Sequence, residues 1–297
     1  MTVGTFDGVH RGHQAVLHEI ATRAQRSGRR SVLVTFEPHP LEVVNPRAAP
    51  QRLTLADERK EILAQSPLDL VVILPFTPAL SQYTPGQFVE LLQKRYHLRE
   101  LVIGHDHGFG KGRAGDAAVI QRLGSERGFA VDVVSEVDVG SRSVSSTLVR
   151  RAVAGGDLDT ARELLGRPYA MLGRVVPGAG RGRNIGYRTI NVPVPSPRKL
   201  LPPDGVYAAW VEWPGGAAGG MMHQGPRPTF GEADRSVEIH LFDQDPDLYG
   251  VEVKVSWIER LRDVVAFADV AALKSQLDKD FRRARDALTR SGVSATY

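Results

Sequence analysis

The sequence predicts an α/β domain built on a parallel sheet, followed by a small antiparallel β-barrel domain with a C-terminal helix. Three observations carry this. In the first half, short runs that are apolar throughout alternate with stretches of helical spacing, the mark of strands covered on both faces. After Tyr169 the pattern gives way to short β-like runs separated by turn residues. The chain then closes on a helical apolar stripe. Its 297 residues leave room for about two domains.

The elements follow in order. Only Met1, Thr2 and Val3 precede Gly4, so the first strand reads as clipped against the about four to eight residues of a buried strand. Val16, Leu17, Ile20, Ala21 and Ala24 keep helical spacing from Gln14 to about Arg26, and Gly28 stops it. Ser31 to Phe36 reads as a buried strand, broken by Glu37-Pro38-His39-Pro40. Asp57 is placed to cap a short helix to Leu63. Leu70 to Leu74 is a second such strand, ended by Pro75. Pro85 opens a helix with Phe88, Leu91 and Leu92 on one face. A strand at Leu101 to Ile103, a helix from Ala117 to Arg127 and a strand at Val131 to Val134 complete the alternation.

Two short helical patterns come next, with Gly155-Gly156 between them, ending near Leu165-Gly166. Val175-Val176, Thr189 to Val194, Gly205 to Trp213, Val237 to Phe242 and Val251 to Ile258 are the candidate strands of the second half. Pro214 ends one of them, and Gly215-Gly216 with Gly219-Gly220 reads as a flexible connection. Asp269 caps the last helix, whose stripe is Leu273, Leu277, Phe281, Ala284 and Leu288. The expected domains are 1–166 and 167–297.

Composition narrows the function. Apolar residues make up 42% and charged residues 24%, an ordinary globular balance. With no cysteine there is no disulfide framework and no thiolate metal site. No basic stretch leads into an apolar core at the start, and the longest aliphatic run, Leu70 to Leu74, is far too short to cross a bilayer. A cytoplasmic protein without a membrane partner is expected. The net charge of +4 suits small anionic substrates such as nucleotides, and no lysine/arginine run is dense enough to indicate nucleic acid.

The most specific motif is Gly4-Thr5-Phe6-Asp7-Gly8-Val9-His10-Arg11-Gly12-His13. Its order is strand, glycine-bearing loop, helix, which gathers backbone N–H groups and a helix's positive end at one point and suits a phosphate. His10 and His13 add donors that can follow charge building on a phosphoryl group. Nucleotidyl transfer is the expected chemistry; a pair of structural histidines is the plainer alternative. Two further loops sit at strand ends. Gly104 to Arg113 carries four glycines with Lys111 and Arg113, and reads as a binding loop or a plain surface loop. Ser145-Ser146-Thr147-Leu148-Val149-Arg150 reads as an anion site or a plain helix cap. Gly178 to Arg183 lacks the G-x-G-x-x-G spacing and precedes a β-like run, so it is no dinucleotide fingerprint, and no P-loop motif occurs.

Taken together these loops resemble the adenylyltransferase module of bacterial bifunctional riboflavin kinase/FAD synthetases. Phe36-Glu37-Pro38-His39-Pro40 is similar to that family's T-F-x-P-H-P segment, and Leu164 to Tyr169 to its interdomain stretch. Gly182-Arg183-Asn184-Ile185-Gly186-Tyr187-Arg188-Thr189-Ile190-Asn191 resembles the riboflavin kinase segment G-R-x-L-G-[FY]-P-T-A-N. Asp204 to Tyr207, Arg227 to Phe230, Val237 to Asp243, Asp247 to Gly250 and Leu261-Arg262 match in order.

The resemblance implies a nucleotidyltransferase-type Rossmann-like sheet and two reactions: phosphorylation of riboflavin to FMN, then adenylylation of FMN to FAD. Each uses ATP and Mg²⁺. It implies His10 and His13 at the α-phosphate, with Gly4, Phe6, Asp7 and Gly8 around the nucleotide. Ser146, Thr147 and Arg150 would hold the pyrophosphate end, and Asp106 would lie on the FMN side. In the kinase, Gly180 and Gly182 would close over phosphates, Thr189 and Asn191 would hold Mg²⁺, Glu238 would be the general base and Arg262 a flavin contact. Read without the family, Glu238 is a charge on a solvated strand face. The chain departs from the pattern at Arg188, Ile190 and His223-Gln224, and at His107 where an aromatic residue is frequent. The alternative is an FAD synthetase whose impaired kinase half acts as a flavin-binding module.

Overall fold

The computed structural model describes residues 1–104, 110, 115–134, 138–139, 142–178, 186–227 and 232–293. The chain forms two compact units, Met1–Ser146 and Thr147–Tyr297.

In the first unit, β1 (Thr2–Val3), β2 (Val32–Glu37) and β3 (Leu70–Pro75) pair in parallel, with β2 in the middle. β4 (Glu100–Gly104) and β5 (Ala130–Val134) form a second parallel pair. Met1 joins the two: Val102 N–H donates to the Met1 carbonyl at 2.9 Å, and the Met1 amine donates to the Glu100 carbonyl at 3.0 Å. The spatial order is therefore β3-β2-β1-β4-β5. β1 is two residues long, and its link to β4 runs through Met1.

Helices cover both faces. On one side α1 (Arg11–Arg26) and α3 (Ala56–Ala64) bring Leu17, Ile20 and Leu63 onto Leu33 and Val102. On the other, α5 (Pro85–Tyr96) and α6 (Ala117–Arg127) bring Phe88, Val89, Leu92 and Ile120 onto Val34, Leu101 and Ile103. Between them run the short α2 (Pro40–Val44) and α4 (Pro78–Ser81), and β6 (Asp138–Val139) pairs with β7 (Arg142–Ser143). Pro85 opens α5 behind Thr84, which shares a capping box with Gln87. Asp57 does not cap α3. The helix begins one residue before it, the Leu55 N–H is taken by the Glu58 carboxylate at 2.8 Å, and Asp57 pairs with Lys60 instead.

The second unit starts at Thr147, one residue into α7 (Ser146–Gly155), and continues with α8 (Leu158–Leu165), the two divided by Gly156 and Asp157. Six antiparallel strands follow: β8 (Tyr169–Arg174), β9 (Ile190–Asn191), β10 (Gly205–Trp213), β11 (Gly216–Arg227), β12 (Glu232–Leu241) and β13 (Glu252–Arg262). They are ordered β8-β13-β10-β11-β12-β9. The sheet curls until Val176, just past β8, bridges Asn191 of β9, which closes the barrel. Tyr207, Met222, Ile239, Val255 and Trp257 fill its inside, each no more than 1% exposed. The terminal helix α9 (Val270–Ser291), capped by Asp269, lays Ala284, Ala287 and Leu288 on Val206, Ala208 and Met221 outside.

Gly219 and Gly220 are not a flexible connection. They lie inside β11, hairpin-paired to β10 through Pro214-Gly215, with Gly215 at φ +93°. A Cβ on Gly219 would sit 2.6 Å from Leu288 Cδ1, so the missing side chain is what lets α9 pack on the strand.

Candidate active sites

The first site grows from the loop between β1 and α1. Phe6, Gly8 and Val9 take positive φ of 49°, 80° and 39°. Gly8 does so freely, whereas Phe6 and the β-branched Val9 are strained there. A Cβ on Gly8 would also lie 2.8 Å from Leu53 Cδ1. The turn is anchored by Asp7, which is buried. Its carboxylate accepts from the Leu53 N–H (3.1 Å), the Thr54 N–H (2.9 Å) and the Thr54 hydroxyl (3.1 Å). Thr54 Oγ1 in turn accepts from the Gly8 N–H at 3.0 Å. Asp7 thus clamps the loop to its neighbour.

The histidines belong to the helix itself. His10 is the N-cap of α1, which begins at Arg11, ahead of the expected Gln14, and its Nδ1 accepts from the His13 N–H at 3.3 Å. A neutral ring that accepts at Nδ1 carries its proton on Nε2, a tautomer assigned from that bond. The two imidazoles stack, centroids 3.6 Å apart and planes 17° apart. Phe6 packs at a tilt of 32° against His13, centroids 4.5 Å apart, and its ring backs onto Gly4. Gly12 is fixed by space: a Cβ there would lie 3.2 Å from the His10 ring and 3.5 Å from the Val144 carbonyl. The serine stretch reaches the same place, since the Ser146 hydroxyl donates to the Asp7 carbonyl at 3.0 Å. Thr147 and Arg150 follow on α7. Asp106, His107, Lys111 and Arg113 lie outside the described residues.

Two buried cations lie beneath this loop, and no motif points to them. Arg52 stands 3.7 Å from Asp7, 3.6 Å from Glu37 and 3.0 Å from Glu42. Burial opposes its charge, but those three carboxylates hold its pKa above the ordinary value. Arg59, fully buried, is pushed the other way, by burial first and by Arg52 next. Both share Glu37, but among the described residues Arg59 has only that one ion-pair partner, so the lowered direction fits its surroundings. The sequence held a faint signal: Arg59 shares helical spacing with Ile62 and Leu63 and so falls on the buried stripe of α3.

The second site is laid out by strand register. Asn191 pairs with Glu238, Glu238 with His223, His223 with Val206, and Val206 with Arg262. Directly paired residues share a face, so Asn191, Glu238 and Arg262 fall on one row across the barrel's outer surface. Thr189 lies two positions before Asn191, just ahead of β9. Gly178 approaches Asn191 so closely that a Cβ there would sit 2.0 Å from Asn191 Nδ2. Gly180 and Gly182 lie outside the described residues. The Arg262 guanidinium is already engaged, bonding the fully buried Asp280 at 2.8 and 2.7 Å and lying 5.6 Å over the Phe267 ring.

The departures have partners. Arg188 pairs with Asp245. His223 Nε2 bonds the Pro226 carbonyl at 3.0 Å. Gln224 is buried, donating to the Pro202 carbonyl at 2.7 Å and accepting from Trp257 Nε1 at 3.1 Å. Among the described residues no group of three or more histidine, aspartate or glutamate side chains could hold a metal. Thr189 and Asn191 offer neutral hard oxygens, a donor set that suits Mg²⁺ shared with phosphates and water.

Such a pairing, a nucleotide-type parallel sheet and a closed barrel with a polar outer row, is that of a two-domain transferase. Residues 1–148 match the FAD synthetase family, and residues 165–288 the riboflavin kinase family. The bifunctional riboflavin kinase/FMN adenylyltransferase of Escherichia coli K12 is 37% identical over 288 residues, 96% of this chain and 91% of that protein. The enzyme of the same name from Pseudomonas fluorescens is 38% identical, covering 96% and 91%. The chain belongs to the bifunctional riboflavin kinase/FMN adenylyltransferase family. It phosphorylates riboflavin to FMN and adenylylates FMN to FAD, using ATP in both steps. A crystal structure described as a macrolide-efflux protein from Streptococcus pneumoniae has the same fold, with a TM-score of 0.84, 30% identity, and coverage of 99% of this chain and 94% of that one. Among the described residues no helix is long and apolar enough to cross a membrane. The impaired-kinase alternative is not favoured, since both family matches are present.

Proposed function

We propose that the two reactions run at two separate centres, each within its own stretch of chain, 1–166 for AMP transfer and 167–297 for phosphorylation. The convergence of the sequence-predicted residues within each unit carries this reading: His10, His13 and Ser146 around one loop, and Asn191, Glu238 and Arg262 along one strand row.

At the first centre an FMN phosphate oxygen attacks the α-phosphorus of ATP, and the bond to the departing pyrophosphate breaks. No covalent enzyme intermediate is needed. His10 and His13 donate to the α-phosphate as its charge grows, and the capped start of α1 adds its dipole. Phe6 and Gly4 shape the nucleotide side, while Asp7 and Gly8 keep the turn. Ser146, Thr147 and Arg150 receive the pyrophosphate, and the family resemblance alone assigns Asp106, outside the described residues, to FMN.

At the second centre the riboflavin 5′-hydroxyl attacks the γ-phosphorus and ADP leaves. Glu238 takes the hydroxyl proton as the O–P bond forms. Thr189 and Asn191 hold Mg²⁺, which neutralises phosphate charge when bound. For Gly180 and Gly182, outside the described residues, the family resemblance alone supports a role at the phosphates. Arg262 borders the flavin while its guanidinium ties α9 to the barrel through Asp280. The substrates are small and soluble, ATP is the nucleotide, and no nucleic acid or membrane takes part; we place the enzyme in the cytoplasm.

The test is a product analysis of two variants given ATP and Mg²⁺. His13→Ala should form FMN from riboflavin but no FAD. Glu238→Gln should form FAD from supplied FMN but no FMN from riboflavin. One substitution that removed both activities from folded protein would sink the two-centre reading.

A further inference from the structure

Arg59 makes three hydrogen bonds to three acceptors. Its Nη1 donates to the Thr5 carbonyl at 2.9 Å, and its Nη2 to the Phe36 carbonyl and the Glu37 carboxylate, both at 2.7 Å. These acceptors sit at the ends of β1 and β2, where the chain leaves the sheet for the histidine loop and for the Phe36 to Pro40 segment. The Thr5 carbonyl also accepts from the Thr35 hydroxyl at 3.1 Å. The next residue is Phe6, strained at φ 49°, whose ring packs at a tilt of 32° against His13, which stacks on His10.

A conformation that opposes its own residue's preference persists only where neighbours over-determine it. Two donors on one carbonyl, one residue before the strain, are such neighbours. The arrangement would be an odd choice for stability alone, since a fully buried guanidinium is costly to desolvate. A planar fork with fixed donors can hold three acceptors at set separations, which a lysine cannot.

We infer that Arg59 is a positioning residue for AMP transfer: through the Thr5 carbonyl, assisted by Thr35, it fixes Phe6 and thereby the stacked His13–His10 pair. It touches no substrate. The inference rests on the assignment of His10 and His13 to the transferred phosphate.

The experiment measures FAD formation from FMN and ATP in the full chain, together with the ring-proton NMR shifts of His10 and His13. Stacking places those protons in a neighbour's ring current, so displaced rings change their shifts. Arg59→Met is expected to lower kcat by about 10²-fold, the scale of a small misplacement in such a site, with KM for FMN changed far less. Arg59→Lys should recover part of the rate. Thr35→Val, nearly isosteric, removes only the second bond to Thr5 and should give a smaller fall with the same shift changes. If Arg59→Met does not fold, Arg59→Lys and Thr35→Val decide. Wild-type kcat and unchanged imidazole shifts in those two would overturn the inference. His13→Ala is run beside them. Full activity there would overturn the histidine assignment instead, which keeps the two failures apart.

Discussion

The two centres are built in opposite ways. The histidine loop departs from regular structure: three of four consecutive residues have positive φ, and the turn stands because Asp7 and Arg59 hold it from beneath. The barrel row departs from nothing. Asn191, Glu238, His223, Val206 and Arg262 are brought into line by ordinary antiparallel pairing, each step the usual ~5 Å between strands. One site depends on a few buried polar clamps, the other on a ladder of many small bonds. Single substitutions should therefore damage the first through its supports, and the second mainly through the reacting side chains and what pins α9.

Breaking a clamp should have the largest effect. Asp7→Ala leaves Arg52 with a lost partner and the Leu53 and Thr54 amides unpaired, and is expected to destabilise the first unit by about 3–5 kcal/mol. Thermal unfolding reads this, and riboflavin phosphorylation at a permissive temperature should be unchanged. In the barrel the comparable weak point is Arg262→Ala, which takes the ion-pair partner from the buried Asp280 carboxylate and leaves it the Gln276 amide. A loss of about 3 kcal/mol is expected in the second unit, with FAD formation from FMN intact. If Arg262→Ala left the melting curve unchanged, the arginine would be a flavin contact alone.

A milder change sharpens the contrast. Gly219→Val drives a side chain into Leu288 and should cost about 1–3 kcal/mol by denaturant titration, without altering the row's register. Gln224→Leu removes the partner of the Trp257 indole N–H inside the barrel, for a similar about 1–3 kcal/mol. The smallest effect belongs to Arg188→Pro, which restores the residue of the resembling motif and gives up exposed contacts with Asp245 and Tyr249. Stability should move by less than about 1 kcal/mol and the kinase rate by little. A large rate gain would mean that the departure holds the kinase back.

What the sequence made legible was local. The glycine-histidine motif, the Thr84-Pro85 helix start and the Asp269 cap each declare themselves within a few residues. The alternation of Val251, Val253, Val255 and Trp257 in the sequence likewise matches the buried face of β13 at its last three positions. The cross-strand row could not be read, because pairing His223 between Glu238 and Val206 depends on registers set far apart in the chain. The Gly216 to Gly220 stretch looked like a linker because a strand whose packing partner is a helix pressed onto glycine has no side-chain pattern to show. Arg52 and Arg59 belong to no motif and lie among charged neighbours such as Asp57 and Lys60. Only the fold reveals that they are enclosed.

Mixing the two catalytic variants tests the account's centre most directly. His13→Ala and Glu238→Gln, each alone with riboflavin, ATP and Mg²⁺, should make no FAD. Combined in equal amounts they should make it, because FMN formed by the first is adenylylated by the second. FAD from either variant alone, or none from the mixture while wild-type protein succeeds, would contradict two independent centres.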